Sequence, residues 1–198
     1  MKIGITGGIG VGKSTLSNIL IEKGYKVFVA DNIAKDLLKS DEKLRQEIIS
    51  AFGEESYLEN DLNVNYLAEK VFINQENVRK INSIVHPKTI KTIEKLMNEE
   101  NEKSNLVFCE SALIYEAGME DLFDYIVTVK AEESTKIERI KKRDNISSDE
   151  IYRRMKNQYS EQFKIENADF TIDNNGSVED LVPKVDFLLN LFKTLSKH

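Results

Sequence analysis

The sequence is poor in the residues that staple, anchor or export a chain. Only one of its 198 residues is cysteine, Cys109. An internal disulfide framework is therefore excluded, and a reducing compartment, the cytoplasm, is expected. Cys109 ends the apolar run Leu106-Val107-Phe108 and reads as a small core residue rather than a nucleophile. No apolar run approaches the roughly twenty residues needed to cross a membrane. The opening Met1-Lys2-Ile3-Gly4 carries no apolar signal stretch, so none is expected. Excess basic charge is missing too: 28 Lys and Arg stand against 34 Asp and Glu, a net charge of −6. That balance argues against a general nucleic-acid binder. Internal repeats and low-complexity segments are absent. What remains is an ordinary soluble composition in a chain of one-domain length, long enough for a substantial core.

What is present is concentrated near the start. Gly7-Gly8-Ile9-Gly10-Val11-Gly12-Lys13-Ser14-Thr15 satisfies the spacing G-x-x-x-x-G-K-[ST]. Before it, Lys2–Thr6 reads as a buried strand; after it, Leu16, Ile19 and Leu20 recur at helical spacing. In that strand–loop–helix setting the glycines let backbone N–H groups turn inward as an anion-binding nest, and the helix N-terminus adds partial positive charge. Lys13 suits the β- and γ-phosphates, Ser14 suits magnesium, and Thr15 suits a further phosphate contact. Nucleotide-phosphate binding follows from the motif and its flanks together.

The rest of the chain alternates strands and helices, an α/β pattern. Gly24 is a helix stop, and Tyr25–Val29 reads as a second strand ending at Ala30-Asp31. Ligands sit beyond the carboxyl ends of strands in open α/β sheets, which aims Asp31 at the loop's crevice; its structural alternative is an N-cap for a helix beginning near Asn32. From Asp41 to about Asn101 the pattern is almost wholly helical. One helix is capped by Asp41 and stopped by Gly53; one carries Leu67 to Phe72, and one carries Val78, Ile81 and Val85. A further, longer helix has Pro87 in its first turn and carries Ile90, Ile93, Leu96 and Met97. Such a run predicts a helical lobe inserted beside the nucleotide site. His86 stands either as a structural residue at a helix start or as a site residue.

Leu106–Cys109 reads as a third strand, ending at Glu110, where a carboxylate is placed for magnesium; Glu116 beyond it reads as a solvated helix residue. Tyr125–Val129 is a fourth strand, followed by a helix from about Glu132 to Arg143. A turn over 144–148 comes next, then a helix capped by Ser148 with Ile151, Tyr152 and Met155. Between Lys136 and Lys156 the local charge is +4 in an acidic chain, with Arg139, Arg143, Arg153 and Arg154 among its bases. A solvated face is the ordinary meaning of such a hairpin. After the fourth strand it reads better as a lid over transferring phosphates. Phe170–Asp173 is a fifth strand, Asn174-Asn175-Gly176 a turn, and a closing helix buries Val178, Leu181, Val182, Val185, Leu188, Leu189 and Phe192.

Taken together, several stretches resemble the dephospho-coenzyme A kinase family over almost the whole chain. They are Ile5–Thr15, Ala30-Asp31-Asn32-Ile33-Ala34, Phe52-Gly53, Val71-Phe72, His86-Pro87 and Glu110–Glu116, with Arg139, Arg143-Asp144, Gln158, Ala168-Asp169 and Asn174–Gly176. Three positions depart from the family pattern: Val29 replaces the first acid of an Asp-Ala-Asp run, Val64 stands where an Arg is usual, and Glu110-Ser111 replaces Asp-Pro.

The resemblance implies a three-layer phosphate-loop kinase fold: a five-stranded parallel sheet, one domain over 1–198, a helical acceptor lobe over about 53–100 and a lid over about 139–160. It implies phosphoryl transfer from ATP, with magnesium, to the ribose 3′-hydroxyl of dephospho-coenzyme A, an alcohol acceptor. Gly10, Val11, Gly12, Lys13, Ser14 and Thr15 would hold the ATP phosphates, with Ser14 on the metal. Arg139, Arg143 and Asn174 would complete the donor side. Asp31, His86 and Glu110 would face the acceptor. Lys13, Asp31 and Arg143 would carry the chemistry. A monomer or small homo-oligomer is expected. A nucleoside monophosphate kinase would share every donor-side residue. A nucleotide-dependent switch or adaptor is a more distant reading; the Asn-Lys-x-Asp base-reading motif of GTPases is absent.

Overall fold

The computed structural model describes residues 1–59, 61–144, 147–156 and 158–196, leaving aside the side chains of Ser148, Asp149, Arg153 and Arg154. In chain order it contains β1 (Lys2–Thr6), α1 (Lys13–Glu22), β2 (Lys26–Val29), α2 (Ala30–Ser40), α3 (Glu42–Phe52), β3 (Tyr57–Leu58), β4 (Asp61–Leu62) and α4 (Val64–Val71). There follow α5 (Gln75–Asn101), β5 (Val107–Glu110), β6 (Tyr125–Lys130), α6 (Glu133–Asp144), α7 (Ser148–Lys156), α8 (Glu161–Asn167), β7 (Phe170–Asp173) and α9 (Val178–Leu195). Two compact units divide the chain: Met1–Val29 with Leu96–His198, and Ala30–Lys95.

The first unit is built on a parallel sheet of order β2-β5-β1-β6-β7. β1 is central, which is why Ile3 and Ile5 are sealed from solvent. One sheet face presents Ile3, Ile5, Phe108, Val127, Val129 and Ile172 to Leu16, Ile19 and Leu20 of α1 and to Leu181, Val185, Leu189 and Phe192 of α9. This is the α/β arrangement expected, with continuous apolar strands between helical layers. On the other face Gly4 leaves room for its neighbours: a Cβ there would sit 2.8 Å from Ile114 Cδ1 and 2.9 Å from the Phe123 ring. All five strands point the same way, so the loops after β1, β5, β6 and β7 leave one edge of the sheet.

The second unit packs Leu44, Ile48, Phe52, Tyr57, Leu67, Val71 and Val85 into its own core. Its helix ends are specified locally. The Asp41 carboxylate accepts from the Leu44 N–H at 3.1 Å, and Asn63 accepts from Tyr66 N–H at 3.3 Å. Gly53 closes α3 at φ 103.

Several local expectations are corrected. The helical run from Asp41 is interrupted by the antiparallel β3–β4 hairpin. Two-residue strands are too short to show a period of two. Pro87 does not open a helix; it lies inside the 27-residue α5, which starts near the Asn74 cap. Pro87 supplies no N–H to the Ser83 carbonyl, and its exposed ring faces solvent, where a missing helix bond costs least. His86 is accordingly mid-helix. Asp31 is not an N-cap, because α2 already begins at Ala30. α7 already includes Ser148, so its cap is Ser147 instead, whose hydroxyl accepts from the Glu150 N–H at 3.3 Å. The predicted Asn145-Ile146 turn lies outside the described residues. Val178 is half exposed rather than buried, and Ser177 caps α9 in a reciprocal box with Asp180.

Candidate active site

The phosphate-loop motif forms a tight loop between β1 and α1, held by three glycines at positive φ: Gly7 at 141, Gly10 at 83 and Gly12 at 92. Each has a neighbour where a side chain would go. A Cβ on Gly7 would strike the Val129 carbonyl, one on Gly12 the Asn174 amide, and one on Gly10 would lie 2.8 Å from Ile140 and 2.9 Å from the Lys136 carbonyl. The glycines are therefore required both for the turn and for close packing of the loop on α6 and the β7 turn. Lys13 reaches back over the loop, its ammonium donating to the Gly7 and Gly8 carbonyls at 2.9 Å each. Ser14 is exposed at the first turn of α1, and Thr15 is half-buried beside it.

Arg139 and Asn174 join this loop from far along the chain. Asn174, almost fully buried, donates from Nδ2 to the Val11 carbonyl at 2.8 Å. Arg139 Nη1 donates to the Asn174 carbonyl at 2.8 Å and to Val11 at 3.5 Å, and its Nη2 to Gly176 at 3.1 Å. The predicted donor-side residues Gly10 to Thr15, Arg139 and Asn174 are thus brought together. Glu110 pairs in register with Ile5. Its carboxylate therefore leaves the sheet on the face that carries α1, at the strand end nearest the loop.

Arg143 is not on the loop. Its guanidinium clasps its neighbour Asp144, Nε at 2.6 Å and Nη2 at 2.8 Å, and its side chain is 60% exposed. That bond to Asp144 raises the guanidinium's pKa, so it is charged at any working pH. Asp31 and His86 belong to the other unit. Asp31 is exposed in the first turn of α2, two residues beyond the end of β2. His86 is half-buried on α5, and burial pushes its pKa down. Cys109 is sealed in β5 with its thiol pushed up to about 12 by burial first and by Glu110 second, which leaves it unreactive.

Sequence reasoning missed a charged brace beside the loop. Glu116 is not a solvated helix residue: it lies in a turn segment, 12% exposed, 2.8 Å from the ammonium of Lys164, which is fully buried. Lys136, one of the bases of the expected lid hairpin, is also buried and pairs with Glu161 at 3.2 Å. The missed signal was α8 itself, where Lys164 stands between Phe163 and Ile165. Gln158, noted only by resemblance, accepts from the Ile9 N–H of the loop at 3.0 Å. Among the described residues no cluster of three or more His, Cys, Asp or Glu could cage a metal, and no helix is long and apolar enough to cross a membrane.

Comparison with known proteins gives this geometry a family. A family profile described as dephospho-CoA kinase matches residues 1–180. A dephospho-CoA kinase of Fusobacterium nucleatum is 38% identical over 94% of this chain and 95% of its own. Among solved structures, TT1252 from Thermus thermophilus superposes with a TM-score of 0.79 at 31% identity, and the dephospho-CoA kinase from Campylobacter jejuni with 0.67 at 25%. Each match covers 96% of both chains. By profile, sequence and fold alike, the chain belongs to the dephospho-CoA kinase family.

Proposed function

We propose that this chain moves the γ-phosphoryl group of ATP onto the ribose 3′-hydroxyl of dephospho-coenzyme A, with the loop at Gly7–Thr15 as donor site and Asp31 as acceptor-activating group. The observation that carries the reading is the junction of loop, Arg139 and Asn174 at the sheet's carboxyl edge. Backbone N–H groups of the glycine loop and the N-terminus of α1 would suit the β- and γ-phosphates. The Lys13 ammonium would exchange the Gly7 and Gly8 carbonyls for phosphate oxygens, which bind a cation more strongly. Arg139 and Asn174 would shape the base end of the nucleotide site.

Ser14 and Glu110 offer a hydroxyl and a carboxylate. Magnesium accepts such a pair when phosphates and water complete its shell, and no protein cage is required. Bound there, the ion would neutralise charge on the β- and γ-phosphate oxygens. Asp31 would hold the 3′-hydroxyl and take its proton as the new P–O bond forms and the bond to ADP breaks. Arg143 would leave Asp144 to meet the charge developing between donor and acceptor. The segment over about 139–160 would be the lid that carries it, and the helices over about 53–100 the acceptor lobe, with His86 among its contacts. We place the protein in the cytoplasm, as a monomer or small homo-oligomer.

Asp31→Asn tests the assignment, because it keeps size and removes charge. A general base supplies about two to four orders of magnitude, so single-turnover transfer should fall by that range while ATP binding holds. A helix-terminal carboxylate alone is worth about 0.3–1 kcal/mol. Unchanged transfer with only such a stability loss would move the role to another group, Glu110 first.

A further inference from the structure

We propose that the buried Lys164–Glu116 pair is a positioning device that pins Gln158 onto the phosphate loop and thereby sets affinity for the nucleotide donor. The inference deepens the donor-site reading above and rests on it.

Lysine is almost never fully buried without a specific partner. Lys164 has two: its ammonium donates to the Ala112 carbonyl at 2.5 Å and pairs with Glu116 Oε1 at 2.8 Å. That same carboxylate oxygen accepts the backbone N–H of Tyr159 at 2.7 Å. Gln158, one residue earlier, accepts the Ile9 N–H of the loop at 3.0 Å. A continuous chain of contacts thus runs from the interior of α8, through one carboxylate, to the front of the loop. The loop's other side is held by the same helix pair. Lys136 of α6 bonds Glu161, the first residue of α8, and the Lys136 carbonyl lies where Gly10 admits no side chain. Tyr159, Phe163 and Tyr115 cover this region with edge-to-face ring contacts at 4.9 and 5.6 Å.

Stability alone does not account for the pair. A buried ion pair is commonly matched or bettered by apolar residues of the same volume. What an apolar pair cannot do is accept the Tyr159 N–H and so fix the residue beside Gln158. A loop held in place before the donor arrives binds ground state and transition state alike, so its loss raises KM and spares kcat.

The test replaces both charges at once, Glu116→Leu with Lys164→Met, in the full chain. The melting temperature should be unchanged or higher. ADP affinity by calorimetry should weaken, and the KM for ATP should rise, by about tenfold, the weight of a charge-assisted hydrogen bond. The Ile9 amide should exchange faster with solvent while those of β1 keep their protection. Gln158→Ala, which removes the far end of the chain of contacts and leaves the buried pair intact, should give the same affinity loss and the same faster Ile9 exchange. A well-folded double variant with wild-type ADP affinity and Ile9 protection overturns the proposal, as does a well-folded Gln158→Ala with both unchanged. Ile9 exchange and ADP binding need no acceptor, so the outcome stands apart from any failure of the wild type to phosphorylate dephospho-coenzyme A.

Discussion

Lys13 is held across its own loop by two carbonyls and takes no part in the apolar core. Lys13→Ala should therefore keep the melting temperature and circular dichroism of the wild type and lose most turnover. Near-normal turnover in the purified variant would remove Lys13 as the phosphate clamp. His86 offers a second residue-scale test, through pH. Burial holds its pKa in the folded protein below the usual value of about 6.5. Unfolding lets it take up a proton that the folded state resists, so its contribution to stability is intact above about 6.5 and is lost as pH falls through the folded pKa. Melts at about pH 7.5 and about pH 5.5 should show the wild type losing more stability on acidification than His86→Gln. Equal losses would show that His86 is as accessible to protons in the folded chain as in the unfolded one.

At the scale of elements, the loop and α6 form one packed unit, joined at Gly10. That glycine needs both its φ of 83 and the absence of a side chain against Ile140 and the Lys136 carbonyl. Gly10→Ala should displace the loop from α6 and weaken ATP binding by about tenfold or more, since a misplacement of about 1 Å can cost a hundredfold. Wild-type ATP affinity in that variant would show that the loop tolerates the shift. Arg143 sits in the last turn of α6, one turn beyond Ile140, and pairs with Asp144. If it meets transition-state charge, Arg143→Ala should depress kcat far more than donor affinity; the reverse split would assign it to ground-state binding.

The elements also show why some of the fold was legible and some was not. Periodicity and caps located β1, α1, the Asp41 cap and the Gly53 stop, because each is decided by residues within one or two turns. Pro87 misled, because a helix interior tolerates proline when the ring faces water, and exposure is a tertiary fact. α8 escaped for a related reason: its seven residues are too few for a period, and its buried side chain is a lysine. The phosphate loop was readable as a local motif. The bond from Asn174 to Val11 spans 163 residues, and no local pattern could pair them. Glu116 looks solvated in the sequence because its partner, Lys164, lies 48 residues further on in α8.

Over the whole molecule, the sheet edge that gathers residues from 7 to 176 is proposed as the ATP site, and dephospho-coenzyme A as the acceptor it serves. A nucleoside monophosphate kinase would present the same loop, the same Lys13 and the same strand-end carboxylate, so the donor side cannot separate them. Acceptor choice can. The direct measurement is ADP release by the wild type with ATP and magnesium, comparing dephospho-coenzyme A, AMP, CMP and shikimate at equal concentration, with the phosphorylated product identified by mass. The proposed function predicts release with dephospho-coenzyme A well above the other three and a product with the mass of coenzyme A. A clear preference for AMP, CMP or shikimate would contradict it.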